Sequence, residues 1–184
     1  MAYFNDMVMA WHTDDMALTT GTVTCFDTDR RDILYEGVVK ATYGYVNITP
    51  LHPSQPFQVG WIQYAKPVRI WDPVTGLQAN FSTRFLFTIE IDGSNQYSDG
   101  MAFFLALVGI SIPPNLARQF LGLFNGSTAN DGPRNQIVMV EFDAYMNPEF
   151  DPPLNHIGIN KNQLSSLVMT TRIPDCTAGK RSIL

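Results

Sequence analysis

An antiparallel β-sandwich is the fold this sequence predicts, and three observations predict it. Helical periodicity is nearly absent along the chain. Short β-type runs recur instead, over 22–26, 38–42, 64–70, 81–91, 101–108, 137–142 and 157–159. Turn dipeptides punctuate them at Asp92-Gly93, Asn125-Gly126 and Asp131-Gly132. Many short strands at such spacing pack as two antiparallel sheets around one core.

Taken in order, the first third is the least legible. The segment 44–60 is polar and proline-bearing and reads as loop. His12 and His52 stand alone and read as surface or packing residues. The apolar run 101–110 reads as a buried strand, because a bilayer span needs about 20 residues. Only 115–124 offers a helical pattern, and Gly122 weakens it.

Composition bounds the function. The 184 residues fit one domain with a sizeable core. Charged residues make up 16% and hydrophobic ones 45%, which is ordinary for a folded chain. The net charge of −5 argues against nucleic acid or an anionic membrane as the main partner. Cys25 and Cys176 are too few for a disulfide framework. The N-terminus lacks the basic-then-apolar pattern of a secretory leader. Sequons begin at Asn47, Asn80 and Asn125 and permit glycosylation if the chain is secreted.

Chemistry concentrates in Val138 to Ile159, VMVEFDAYMNPEFDPPLNHIGI. Val138, Val140 and Phe142 alternate with Met139, Glu141 and Asp143, so Glu141 and Asp143 share one face of a strand. A proline-bearing loop then carries Tyr145, Asn147 and Asp151 and ends at His156. Carboxylates packed so closely repel one another and raise their own pKa values unless a cation sits among them. Asp143, Asn147, Asp151 and the backbone carbonyl of Tyr145 are the hard oxygens Ca²⁺ takes. Glu141, Asp143, Asp151 and His156 suit Mn²⁺ or another transition ion. The plain alternative is an acidic, solvated turn between two strands.

The run VEFDAYMNPEFDPPLNHIGI resembles the metal-binding signature of the legume (L-type) lectins. FSTRFLFTIE at 81–90, SDGMAFFLA at 98–106, FLGLF at 120–124 and WDPVTG at 71–76 follow the family's order and spacing. The form is most similar to the lectin domains of plant lectin receptor kinases. The resemblance is close over 57–166, loose over 3–56, and fades in the tail 167–184. There the sequence LVMTTRIPDCTAGKRSIL replaces the expected strands and tryptophan.

The resemblance implies a single, C-terminally incomplete domain, a concanavalin A-like jelly roll with a Ca²⁺ and a Mn²⁺ site. It implies that Ser166 holds a water on the transition ion. The implied sugar site comprises Asp99, the backbone amide of Gln119, Tyr145 and Asn147, with Ser98-Asp99 as a cis peptide. Gln119 stands where the family commonly has glycine, a departure that could crowd the sugar. The implied partners are glycans or glycoproteins outside the cell or at its surface, and the implied assembly is a homodimer. An incomplete sandwich would leave apolar faces exposed.

Two other functions compete. A lectin-like fragment acting through protein contacts is compatible with the altered glycine loop and tail. A sandwich-fold glycosidase would carry paired acids in an E-x-D-x-x-E pattern. Glu141 and Asp143 fill two places of it, but Met146 occupies the third. The reading is therefore a non-catalytic domain.

Overall fold

A computed structural model of the chain describes residues 2–10, 20–23, 29, 31–42, 45–48, 58–79, 82–89, 100–114, 120–149, 151–171 and 182–183. Among these residues the regular elements are all strands. In chain order they are β1 (Ala2–Ala10), β2 (Thr20–Val23), β3 (Ile33–Gly37), β4 (Lys40–Thr42), β5 (Tyr45–Asn47) and β6 (Gly60–Tyr64). Then come β7 (Ser82–Ile89), β8 (Gly100–Ala106), β9 (Ile137–Asp143), β10 (His156–Lys161), β11 (Val168–Thr170) and β12 (Ser182–Ile183).

One sheet runs β12-β7-β1-β5-β4, with β2 also paired to β1. Its axis is β1, antiparallel to β7 from Ala2↔Ile89 to Ala10↔Ser82, with an irregularity between Phe4 and Asp6. The other edge of β1 is shared between β5 near its start and β2 near its end. The second sheet runs β11-β10-β9-β8, and β3 and β6 form a separate two-stranded sheet. Every ladder is antiparallel.

Strand alternation divides the hydrophobic residues between two cores. The even positions of β9, Val140 and Phe142, join Ile33, Val46, Phe87 and Met101 in a core that links the two sheets. The rings of Phe87 and Phe142 meet there, centroids 5.0 Å apart and tilted by 57°. Such a pair contributes about 0.5–1.5 kcal/mol beyond its buried area. The odd positions Ile137 and Met139 enter a second core with Trp61, Leu123, Phe124, Ala129 and Leu164. The segment 120–130 thus lies over the outer face of the second sheet. Trp61 pins it by donating Nε1–H to the Gly122 carbonyl at 3.1 Å, and Leu164 N–H donates to the Ala129 carbonyl at 2.7 Å. With both faces used, β9 is the most buried strand among those whose side chains are described.

Several expectations need correction. The helical pattern at 115–124 gives no helix over 120–124: Leu121 and Gly122 take φ of 49° and 70°, left-handed values that break any helix. Residues 115–119 lie outside the described set. The strand expected at 64–70 ends at Tyr64, since Pro67 offers no N–H to a ladder. The loop expected at 44–60 contains β5, anchored by the fully buried Val46. β1 and β3 were not expected, while β8, β9 and β10 fall on their expected runs within two residues at each end. Asn125-Gly126 and Asp131-Gly132 do sit in turns. Asp92-Gly93, His12, His52, Cys25 and Cys176 lie outside the described residues.

Ile159 pairs with both Val140 and Val168, so all three share the face that carries Phe142. Yet Ile159 is 47% and Val168 65% exposed, and Val138 on the same face is 45% exposed. The inner face of this sheet is covered over Phe142 and open over Val168.

This division predicts unequal costs of truncation. Phe142→Ala should lose about 3–5 kcal/mol of unfolding free energy in urea, as a buried aromatic deletion does. Val138→Ala, four residues earlier on the same face, should stay within about 1 kcal/mol. Equal losses would contradict the assigned faces.

Candidate metal centre

The centre is built where β9 ends and β10 begins. His156 lies opposite Asp143 in the ladder, and Gly158 opposite Glu141. Directly opposed residues share a face, so Glu141, Asp143, His156 and Asn160 all project to the side of the second core. Gly158 is required there by space. A Cβ at 158 would fall inside contact distance of Ser166 Oγ and Glu141 Oε1. The missing side chain leaves the room those two groups occupy.

Glu141 is 3% exposed, and a buried carboxylate must be compensated. Asn160 donates Nδ2–H to its Oε2 at 3.0 Å. Ser166 donates its hydroxyl to Oε1. His156 Nε2 lies 3.1 Å from the same Oε1. That spacing serves an N–H···O bond, and equally two donors at right angles on one ion, since ligand bonds of about 2.1 Å put them about 3 Å apart. Asn160, itself 1% exposed, also donates to the Leu164 carbonyl, and its Oδ1 lies 3.2 Å from the Ser166 hydroxyl. One network therefore ties β9, β10 and the turn at 162–166.

The intervening loop is shaped by Asp143 at the end of β9 and by Asp151 within it. Asp143 Oδ1 accepts from Tyr145 N–H at 2.7 Å, and Asp151 Oδ2 accepts from Asn147 N–H at 2.7 Å. Asp151 N–H donates back to the Asn147 carbonyl at 2.9 Å. These bonds fold the loop onto the strand ends, and Asp143, Asp151 and His156 each bring a donor atom within 4.8 Å of the others. Burial raises the Asp151 pKa, opposed by the bond from Asn147 N–H and by the nearby His156.

The donor set fits a cation. Asn147 is 2% exposed, and neither Oδ1 nor Nδ2 has a hydrogen-bond partner. His156 Nδ1 is likewise buried without one. Unpartnered buried polar atoms are rare and costly in folded proteins. His156 is grouped with the carboxylates of Asp143 and Asp151, and Asn147 bonds to Asp151 through its backbone N–H, so the loop brings together the donor types of a hard-ion site.

The residues expected at the site fall into three groups. Glu141, His156 and Ser166 are joined, and Asp143, Asp151 and His156 are gathered, so His156 belongs to both clusters. Tyr145 and Asn147 are on the connecting loop, Tyr145 45% exposed and Asn147 buried. Asp99 and Gln119, with the Ser98-Asp99 bond, lie outside the described residues. Gly100, the residue after Asp99, pairs with Asp143, and a Cβ there would collide with the Phe142 carbonyl. Met146, where a glycosidase would need a further acid, is exposed on the loop. Sequence reasoning missed Asn160 and Gly158. The signal was available: both follow His156 at steps of two along a strand, on the face of Glu141.

Comparison with known proteins now adds the family. The legume lectin domain profile matches residues 22–181. The chain is 43% identical over 148 residues to the L-type lectin-domain containing receptor kinase IX.1 of Arabidopsis thaliana, covering 78% of this chain and 22% of that protein. It is 40% identical over 152 residues to the bark leucoagglutinin of Maackia amurensis, covering 79% of this chain and 52% of that protein. Among solved structures, the lectin UEA-II complexed with galactose aligns with a TM-score of 0.75 at 32% identity, covering 85% of this chain and 66% of that one. Peanut lectin with a 9mer peptide aligns with a TM-score of 0.76 at 31% identity, covering 86% and 66%. This chain belongs to the legume lectin domain family. Its fold is that family's jelly-roll sandwich, and the family is one of carbohydrate-binding, non-catalytic domains. The chain spans about half the length of the Maackia lectin and about a fifth of the receptor kinase.

The network predicts two separable defects. Asn160→Leu removes a donor from the buried Glu141 carboxylate and should lower the urea unfolding free energy by about 1–3 kcal/mol. Gly158→Ala pushes into Glu141 and Ser166, and should weaken a cation site built on those groups by roughly tenfold in Mn²⁺ titration calorimetry. Wild-type Mn²⁺ affinity in Gly158→Ala would show that the glycine has no part in the site.

Proposed function

We propose that this chain is the sugar-recognition part of a metal-dependent lectin. The observation that carries the reading is Asn147: its carboxamide is buried with both ends unpartnered, and its backbone N–H bonds to Asp151, a member of the cluster with Asp143 and His156. A carboxamide is two-ended. With Oδ1 turned to a calcium ion, Nδ2 remains to donate to a sugar hydroxyl. Ca²⁺ would be held by Asp143, Asn147, Asp151 and the Tyr145 carbonyl. Mn²⁺ or another transition ion would be held by Glu141, Asp143, Asp151 and His156, with Ser166 alongside. Bound there, the ions supply countercharge and hold the loop in shape.

The chain's own groups then recognise the sugar. Asp99 accepts from sugar hydroxyls, the Gln119 backbone N–H and Asn147 Nδ2 donate, and the exposed Tyr145 ring covers an apolar sugar face. No bond is broken. That one relative was solved with galactose supports a glycan as partner. Likeness to a receptor kinase and to agglutinins supports a place outside the cell or at its surface. Homodimerisation belongs to the same reading.

The test pairs metal counting with glycan binding. By equilibrium dialysis, Asp143→Ala should lose both ions, whereas His156→Ala should lose mainly Mn²⁺. On a glycan array the wild-type chain should bind in Ca²⁺ and Mn²⁺ and release in chelator. Metal retained by Asp143→Ala would sink the ligand assignment. Intact metal binding with no glycan bound would instead favour the protein-contact reading.

A further inference from the structure

Two of the three sequons begin at asparagines the structure describes, and their surroundings are opposite. Asn47 sits in β5, its backbone paired to Lys40 on one side and Tyr3 on the other. It is 8% exposed, and its Oδ1 is buried. The next residue is closed in as well: a Cβ at Gly60 would strike the Ile48 carbonyl. An oligosaccharide on Asn47 has no way out between three strands without breaking the sheet.

Asn125 is the reverse case. It opens the turn 125–128 in the segment over the second core, just after the buried Phe124. Its Oδ1 accepts from Ser127 N–H at 2.9 Å, Ser127 Oγ–H at 2.7 Å and Thr128 N–H at 3.1 Å. Those bonds fix the carboxamide by its oxygen and leave the nitrogen out of the turn. Gly126 and Ser127 are exposed, and a Cβ on Gly126 would meet nothing within 4 Å. Substitution at Nδ2 changes neither Oδ1 nor the bonds it accepts, so a modified Asn125 keeps its turn.

We infer that Asn125 is an N-glycan acceptor and that Asn47 is not. The donor is an oligosaccharide activated as a lipid-linked pyrophosphate. Its anomeric carbon bonds to Asn125 Nδ2 as the carbon–oxygen bond to pyrophosphate breaks. Nδ2 gives up one proton, and the lipid pyrophosphate leaves. The glycan then stands on the cover of the second core, a bulky polar group on an exposed turn.

The experiment translates the full chain, behind an added secretory leader, into microsomes. An appended exposed Asn-Gly-Thr tail reports that the chain reached the transferase. Peptide mapping after enzymatic deglycosylation, which converts each occupied Asn to Asp, should mark Asn125 and leave Asn47 unmarked. Asn125→Asp keeps the turn-forming oxygen while removing the acceptor nitrogen, and should lose one glycan-sized mass step. Asn47→Asp should lose none. A chain modified on its tail but bare at Asn125 would overturn the inference, as would a marked Asn47. The mapping uses the unsubstituted chain, so it decides even if a variant fails to fold.

Discussion

Glu141 is the group on which the second sheet turns. A carboxylate at 3% exposure is tolerated only because three side chains converge on it from two other places in the chain. His156 and Asn160 come from β10 and Ser166 from the turn beyond it. Each is held where it is by the register His156↔Asp143, and that register is fixed by the apolar alternation of β9. A slip of one residue would carry Glu141 into the core of Phe87 and Met101, and Phe142 out of it. Packing and polar pairing therefore specify the same register, which is how a charge can be buried without the strand finding another partner.

The same alternation links fold to function. One face of β9 fills the core between sheets, and the other begins as apolar packing and ends as the acidic cluster. The cover segment 120–130 closes the apolar part, with Trp61 tying it to β6. The loop after β9 closes the polar part, its backbone bonded to Asp143 at the end of β9 and to its own Asp151. A rigid strand pair thus presents the cluster, and a self-bonded loop completes it, an arrangement suited to holding ions at fixed positions.

The sequence disclosed this region well and the first third poorly, for physical reasons. β9 is long, alternates strictly and places acids at the step of two, so both its element type and its chemical face can be read locally. β1 has no such signature: Asn5 and Asp6 interrupt it, and it is a strand because it pairs along its length with β7, some eighty residues away. β5 is three residues long and held by the burial of Val46, which no local pattern announces. The helical pattern of 115–124 failed over its second half because Leu121 and Gly122 adopt left-handed backbone, set by their seat against Trp61 and Val59. Asn160 was overlooked because a lone asparagine in an apolar run reads as a surface residue until its face is known.

If the cluster around Asp143 is an ion site that completes the fold, thermal unfolding of the purified chain, first chelated and then with Ca²⁺ and Mn²⁺ restored, will report it. A ligand that binds only the folded state raises the midpoint by mass action, about 2.7 kcal/mol of stabilisation at a hundredfold excess over its dissociation constant. One cooperative transition is expected, rising with each ion and further with both. A cooperative transition that stays in place when the ions are added would rule out an ion site that completes the fold.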